Sequence, residues 1–115
     1  MKPYIKELEK ALGKEKVLTE EFQRFIFGAD WSPRTPEEIF PPDVVILPKD
    51  TEDVVKAVKI AYKHGIPVTA GGGLTGMAGG AVPIHGGIYI DGLCLSKVVE
   101  VDPENQTIRC QSGVT

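Results

Sequence analysis

The distribution of glycine constrains this chain more than any other feature of its sequence. Nine of the thirteen glycines fall between Gly71 and Gly92, and residues 71–81 read GGGLTGMAGGA. In ordered structure, glycine serves where φ is positive or where another atom must approach the backbone closely. Ordering so many glycines costs conformational entropy that only a specific contact would offset. The stretch is therefore predicted to be a loop that lies against a ligand.

The residues before this loop have the pattern of a βαβ unit. Residues 43–47 contain a short, β-branched apolar run, which is typical of a strand buried on both faces. Helical spacing follows over residues 52–64, and residues 67–70 have the character of a second short strand. The apolar face of the helix is expected to consist of Val54, Val55, Val58, Ala61 and Tyr62. This order predicts two neighbouring parallel strands joined by a right-handed crossover.

The remaining segments add helices before this unit and antiparallel strands after it. Two short helices are predicted over residues 3–12 and 19–27, and in the proline-rich connector that follows them Trp31 is expected to pack. A strand is predicted over residues 88–91 and a β-hairpin over residues 98–111. The fold class is therefore α+β, with an α/β lobe followed by antiparallel strands.

Several kinds of ligand loop compete for the glycine-rich stretch. Gly71, Gly73 and Gly76 satisfy the dinucleotide pattern GxGxxG, but that pattern must open a helix, and the later glycines and Pro83 forbid one here. A phosphate-binding P-loop requires lysine after its last glycine, where this chain has Met77. A flexible linker would be polar and serine-rich, whereas this loop contains interleaved apolar residues. What remains is a loop whose backbone amides form a nest for an anionic cofactor at the tip of a parallel strand.

Composition excludes several other classes of function. The net charge of -3 and the pI near 5.4 argue against a nucleic-acid or anionic-membrane surface. The sequence has no apolar run near the roughly 20 residues that span a bilayer and no secretory signal, so a cytoplasmic location is expected. Cys94 and Cys110 lack CxxC spacing and are expected to be buried, reduced thiols. His64 and His85 are expected at the surface, and no catalytic residue or metal site is predicted.

Motifs along most of the chain occur in an order that resembles the FAD-linked oxidases. This is the flavin-binding fold shared by vanillyl-alcohol oxidase and p-cresol methylhydroxylase. The branch that the chain resembles most is the group of D-lactate dehydrogenase and the glycolate oxidase large subunit. The resemblance is carried by residues 42–45, Pro48, 64–68, 75–83, 86–88, Asp91, 101–105 and 113–115.

The resemblance implies a set of backbone contacts with FAD. The pyrophosphate would lie against Gly72, Gly73, Leu74, Thr75 and Gly76, with a further hydrogen bond from the Thr75 hydroxyl. Ala78 and Gly79 would lie near the flavin, and Gly113 and Val114 would make a later backbone contact. Some relatives tether FAD through a histidine in this loop. Thr75 falls at that position, so non-covalent FAD is expected.

The resemblance also implies how the chain fits into a larger protein. Residues 1–42 would be N-terminal helices and a connector, and residues 43–115 the first lobe of a two-lobed FAD-binding domain. The chain would then be an N-terminal fragment of an enzyme that oxidises a small D-2-hydroxy acid by hydride transfer to FAD. The alternatives are an enzyme similar to alkyl-dihydroxyacetone-phosphate synthase and a non-catalytic module. The expected partners are the hydroxy acid, bound through a further domain, an electron-acceptor subunit, and a second copy of the lobe.

Overall fold

The computed structural model describes residues 1–115 and contains three α-helices and six strands in two sheets. The helices are α1 (Pro3–Leu12), α2 (Glu21–Phe25) and α3 (Thr51–His64). The strands are β1 (Val17–Leu18), β2 (Val44–Ile46), β3 (Val68–Gly71), β4 (Ile88–Asp91), β5 (Val98–Asp102) and β6 (Thr107–Cys110). The α+β fold class is confirmed. None of the helices combines the length and the apolar character needed to cross a membrane.

The first sheet has the strand order β1-β2-β4-β3, with β4 parallel to both of its neighbours. The two strands of the predicted βαβ unit, β2 and β3, are therefore parallel, but the prediction that they are neighbours is wrong. All four residues of β4 are buried, whereas β3 alternates between exposed and half-buried residues. The more apolar strand takes the central position, and the crossover through α3 passes over it. A βαβ pattern predicts strand direction but not how many strands lie between.

The core lies on one face of this sheet, under α1 and α3. Twelve buried residues from α1, α3 and the strands form one cluster, in which Leu8, Val44 and Ile88 have no exposed surface. The cluster includes residues of α1 and β1 as well as residues after position 42, so the N-terminal segment and the rest of the chain share one core. A second, smaller cluster on the opposite face consists of Phe27, Val45 and Tyr89.

Helix α3 begins and ends at the expected kinds of residue. The Asp50 side chain accepts a hydrogen bond from the Asp53 N–H at 3.0 Å, and Gly65 ends the helix with a φ of 64°. The buried residues of α3 are Asp53, Ala57, Ile60 and Ala61. Much of the predicted apolar face is wrong, because Val55, Val58 and Tyr62 are 43%, 44% and 91% exposed. Helix α1 covers only one flank of α3, and these three side chains lie outside it.

The hairpin of β5 and β6 is confirmed, but its two strands are almost entirely exposed. Val98, Val101 and Ile108 are between 49% and 66% exposed. Cys94 lies in a single 3₁₀ turn and Cys110 in β6, and both are free and exposed. The prediction that these thiols are buried is wrong because apolar strand patterns do not reveal whether another layer covers the strand.

The connector also differs from the prediction in one respect. Trp31 was expected to pack, but it is 73% exposed. Its backbone N–H donates to the Gly76 carbonyl at 3.1 Å, so the residue is held by its main chain while the indole faces outward.

A partly buried ion pair joins the segment after α1 to the first turn of α3. The Lys16 ammonium donates to the Asp53 carboxylate at 2.8 Å, and the Lys49 N–H donates to the same oxygen at 2.9 Å. The hydrogen bond from Lys16 is the main cause that lowers the pKa of Asp53, and the Lys49 N–H contributes in the same direction.

This pair predicts a pH-dependent effect on stability. Because the pKa of Asp53 is lower in the folded chain than in the unfolded chain, its carboxylate stabilises the fold above about pH 4, and this contribution is lost as pH falls through the folded pKa. We expect Asp53→Asn to lower Tm most at pH 7, with a difference from wild type that narrows below about pH 4. Thermal unfolding of the variant and of wild type at pH 7 and below about pH 4 measures the difference in Tm. The exposed neighbour Glu52→Gln serves as control, and an equal Tm difference at both pH values would contradict the prediction.

Candidate functional site

The glycine-rich loop leaves the sheet at the carboxyl ends of its parallel strands. Gly71 is the last residue of β3, and Asp91, the last residue of β4, lies beside it in the ladder. A cleft of about 350 Å³ opens at this edge. Its lining consists of Val54, Ala70, Gly71, Gly72, Ile90, Gly92, Leu95 and Ser112. This is the edge at which open α/β sheets bind ligands.

The loop has no regular secondary structure, as predicted. The N–H groups of residues 72–78 donate no hydrogen bond to any other part of the chain. The next N–H, that of Gly79, donates to the Asp30 carboxylate at 3.0 Å. A row of backbone donors without partners is the chemical requirement for an anion-binding nest.

The glycines of the loop fall into two groups. A Cβ at Gly71 would overlap the Tyr89 hydroxyl. Gly79 has a φ of 79°, and a Cβ there would lie 2.8 Å from the Arg34 guanidinium. The chain itself therefore requires glycine at these two positions. The second group consists of Gly72, Gly73, Gly76 and Gly80, where φ is not positive. A Cβ on any of these four would meet no atom closer than 3.7 Å.

The second group shows how the loop fits the expected cofactor. Neither backbone conformation nor packing within the chain requires glycine at those four positions. A ligand lying directly on the backbone does require it, because side chains would hold the ligand away from the amides. Three of the four, Gly72, Gly73 and Gly76, are among the residues predicted to contact FAD.

Leu74 differs from its neighbours because its side chain faces the protein. It is half-buried and packs against the cluster formed by Phe27, Val45 and Tyr89. Its φ of 58° lies in the left-handed region, which costs a leucine about 1–2 kcal/mol. The side chain thus anchors the base of the loop and leaves only its backbone to a ligand. Thr75 and Ala78 are exposed, so their side chains remain accessible.

The predicted contacts near the end of the chain lie beside the loop. The Gly113 N–H donates to the Leu95 carbonyl at 2.8 Å, and a Cβ at Gly113 would overlap Gly92. Gly113 therefore has a reason within the chain to be glycine, and Val114 follows it half-buried. The Thr115 methyl group is 3.7 Å from the Cβ position of Gly73. The structure thus brings residues 113–115 next to residues 72–73.

Two buried polar residues of β4, Tyr89 and Asp91, lie beside Gly71 at the start of the loop and were not among the residues predicted for the site. Tyr89 is completely buried, and its hydroxyl has no hydrogen-bond partner. Burial, with the nearby charge of Asp91, raises the pKa of Tyr89 to about 12, so the phenol is a protonated donor at neutral pH. Burial also raises the pKa of Asp91, although the Leu93 N–H donates to its carboxylate at 3.1 Å. The sequence signal that could have drawn attention to Tyr89 is its place in the apolar strand that follows the glycine-rich loop.

The chain contains no cluster of three or more His, Cys, Asp or Glu side chains that could hold a metal ion. His64 ends α3 and pairs with Glu7, with 2.7 Å between Nε2 and Oε2. His85 is exposed on a loop. Neither histidine faces the cleft.

Comparison with known families agrees with the geometry of the loop and cleft. Residues 42–115 match the family described as FAD binding domain. The chain belongs to this family. The match begins just before β2 and includes the glycine loop and the returning segment that ends at Thr115, which confirms the resemblance seen in the sequence.

Individual relatives of this FAD-binding domain cover different parts of the chain. It is 41% identical over 73 residues to a D-lactate dehydrogenase of Anaerostipes hadrus, across 64% of this chain and 15% of that protein. It is 32% identical over 123 aligned residues to an alkyldihydroxyacetonephosphate synthase of Trypanosoma brucei brucei, across 97% of this chain and 20% of that protein. The chain thus spans one fifth or less of the length of both relatives.

A solved structure supports the fold. A crystal structure of p-cresol methylhydroxylase with substrate bound superposes with a TM-score of 0.81 at 26% sequence identity. The superposition covers 97% of this chain and 22% of that one. The lobe with its parallel sheet and hairpin therefore has the fold of this type of FAD-binding domain.

The unpaired hydroxyl of Tyr89 predicts an unusual response to mutation. We expect Tyr89→Phe to leave Tm of the cofactor-free protein unchanged or to raise it, because removing a buried hydroxyl without a partner removes a desolvation penalty of about 1–3 kcal/mol. Tyr4→Phe is the matched control, since the Tyr4 hydroxyl donates to Asp43 at 3.0 Å and its loss should lower Tm. Thermal unfolding of both variants checks this, and equal losses in Tm would contradict it.

Proposed function

We propose that this chain holds the pyrophosphate of FAD against residues 72–76, as the first lobe of the FAD-binding domain of an oxidoreductase. One observation carries the proposal. The glycines at positions 72, 73 and 76 have no conformational or packing requirement within the chain, and the N–H groups around them donate no hydrogen bonds. Phosphate oxygens are the natural acceptors for such a row of amides.

The chemistry of the loop matches a bound dianion held by neutral groups. Residues 71–81 contain no lysine or arginine, so the backbone amides and the exposed Thr75 hydroxyl are the donors that the loop offers. Ala78 and Gly79 extend this surface toward the flavin. The Gly79 N–H already donates to Asp30, so Gly79 leaves space for the cofactor but donates no hydrogen bond to it. FAD, when bound, accepts the hydride that substrate oxidation releases.

The exposed apolar surfaces support a larger FAD-binding domain. Both strands of the hairpin and the outer flank of α3 present valines and isoleucine to solvent. We assign residues 1–42 to an N-terminal extension and residues 43–115 to the first lobe, and we propose that a second lobe of a longer protein covers the hairpin. In its absence, the same surface would favour self-association of the lobe.

For the substrate, we propose a small D-2-hydroxy acid of the glycolate or D-lactate type. The 41% identity to a D-lactate dehydrogenase over 73 residues supports this class. The groups that orient the substrate would belong to a further domain, and electrons would pass from the flavin to an acceptor subunit. A cytoplasmic location is part of the same proposal.

The second candidate is an enzyme similar to alkyldihydroxyacetonephosphate synthase, which would use FAD without net oxidation. One observation favours it. The match to that relative covers 97% of this chain, including the N-terminal helices, whereas the match to the D-lactate dehydrogenase covers 64%. A non-catalytic module that retains the fold is the third alternative.

The test of the loop assignment is Gly76→Val in the full-length protein that contains this chain. A Cβ at Gly76 meets nothing within 4 Å, so the fold should tolerate valine while the ligand does not. We expect FAD affinity to fall at least about tenfold, which is about 1.4 kcal/mol, and Tm of the cofactor-free protein to stay within about 2 °C. Titration of the apoprotein with FAD and thermal unfolding measure the two effects.

The matched control is Gly65→Ala, at the far end of α3. Gly65 also has open space around it, but its φ of 64° makes alanine strained. This variant should lose Tm and keep its FAD affinity. Gly79→Val is not a clean test, because its positive φ and the Arg34 contact predict a damaged fold. Wild-type FAD affinity in Gly76→Val would refute the assignment of the loop.

The full-length holoprotein also separates the candidate functions. We expect D-lactate or glycolate to bleach the flavin spectrum under anaerobic conditions, with L-lactate as the control. Bound flavin that no D-2-hydroxy acid bleaches would favour the synthase-like or non-catalytic alternatives. Acid precipitation of the same sample should leave the colour in solution, because Thr75 lacks a side chain that reacts with the flavin. Colour in the pellet would mean a covalent bond.

A further inference from the structure

A side chain from the N-terminal connector contacts the backbone of the glycine loop. The Asp30 carboxylate accepts a hydrogen bond from the Gly79 N–H at 3.0 Å. It is the one side chain in the chain that hydrogen-bonds to the backbone of residues 71–82. The two residues are 49 positions apart in the sequence, so the contact depends on the tertiary fold.

The carboxylate is itself held in place. The Ser32 N–H donates to its other oxygen at 2.8 Å, and the Ser32 hydroxyl donates to that oxygen as well. Arg34 in turn donates through Nε to the Ser32 hydroxyl oxygen at 3.0 Å. The hydrogen bonds from Ser32 are the main causes that lower the pKa of Asp30, so the group is an anion at neutral pH.

The connector also holds the loop at a second point. The Trp31 N–H donates to the Gly76 carbonyl at 3.1 Å. Gly76 and Gly79 are therefore both attached to residues 30–31, and the exposed residues Met77 and Ala78 lie between the two attachment points. The Gly76 carbonyl is thereby occupied by a donor from the connector.

We infer that Asp30 is a positioning residue for FAD, which acts by holding residues 76–79 in the shape that accepts the cofactor. The inference rests on the function proposed above. A loop in which several residues have no other hydrogen bonds would otherwise sample many conformations, and FAD binding would have to select one of them. Ordering the loop before the cofactor arrives reduces this entropic cost of binding.

The test compares Asp30→Ala, Asp30→Asn and Ser32→Ala in the full-length protein. Asp30→Ala removes the acceptor, so FAD affinity should fall about tenfold, equal to about 1.4 kcal/mol. Asp30→Asn keeps an oxygen for the Gly79 N–H and should restore affinity to within about threefold of wild type, about 0.6 kcal/mol. Ser32→Ala leaves the acceptor and the supporting N–H of residue 32 but removes the hydroxyl that also donates to Asp30, and should give a smaller loss than Asp30→Ala.

A second readout does not depend on the cofactor. In the apoprotein, the Gly79 N–H donates to Asp30 and the Val82 N–H donates to the Gly79 carbonyl. Hydrogen–deuterium exchange of these two amides should be faster in Asp30→Ala than in wild type, with intermediate exchange in Ser32→Ala. A third readout uses the holoprotein. The visible circular dichroism of bound flavin should change in Asp30→Ala and recover in Asp30→Asn. A residue with only a general structural role would lower Tm without this pattern of rescue.

Asp102→Ala is the matched control. Its carboxylate also accepts two hydrogen bonds within a turn, from the Asn105 N–H at 3.1 Å and the Asn105 amide at 2.7 Å, but it has no contact with the loop. It should leave FAD affinity and exchange of the Gly79 and Val82 amides unchanged. Equal losses of affinity in Asp30→Ala and Asp102→Ala, or wild-type affinity and exchange in Asp30→Ala, would overturn the inference.

Two further outcomes are informative. If Asp30→Ala does not fold, FAD affinity, hydrogen–deuterium exchange and circular dichroism are compared in Ser32→Ala and Asp30→Asn instead. If the wild-type protein binds no FAD, the proposed function fails, and the exchange comparison decides separately whether Asp30 orders the loop.

Discussion

The arrangement of the whole lobe depends on β4, which is buried on both faces and pairs in parallel with β2 on one side and β3 on the other. Its Ile88 and Ile90 belong to the core under the helices, whereas Tyr89 joins the cluster on the opposite face. Because Tyr89 lies under Gly71 and Leu74, the central strand also supports the base of the ligand loop. A disrupted β4 would therefore disturb the core, the sheet and the site together.

The two edges of this sheet have different chemistry. At the amino edge, the Oδ2 atom of Asp43 accepts hydrogen bonds from Tyr4 and from the Gly87 N–H, each at 3.0 Å, and pairs with the Lys2 ammonium at 2.9 Å. At the carboxyl edge, seven consecutive N–H groups of the loop donate to nothing in the chain, and the Tyr89 hydroxyl has no partner. Unused polar groups are concentrated where parallel strands end, which is where a cofactor is expected.

The chain buries little of its apolar surface outside the sheet and its two main helices. Only 25 of 115 residues are buried, and the exposed residues include most apolar side chains of the hairpin. Exposed apolar surface of this extent is typical of an interaction surface. It agrees with a chain that spans one fifth or less of the relatives described above.

The sequence by itself determined the features that depend on local preference. Periodicity, caps and glycine placement were enough to predict α1, the parallel direction of β2 and β3, the hairpin, and a glycine-rich loop without a helix. The tertiary structure decided everything that depends on contact between distant residues. These contacts placed β4 between β2 and β3, selected the buried flank of α3, and left both cysteines exposed. They also set Leu74 at a positive φ and joined Asp30 to Gly79, because the packing of other segments outweighs local preference at such positions.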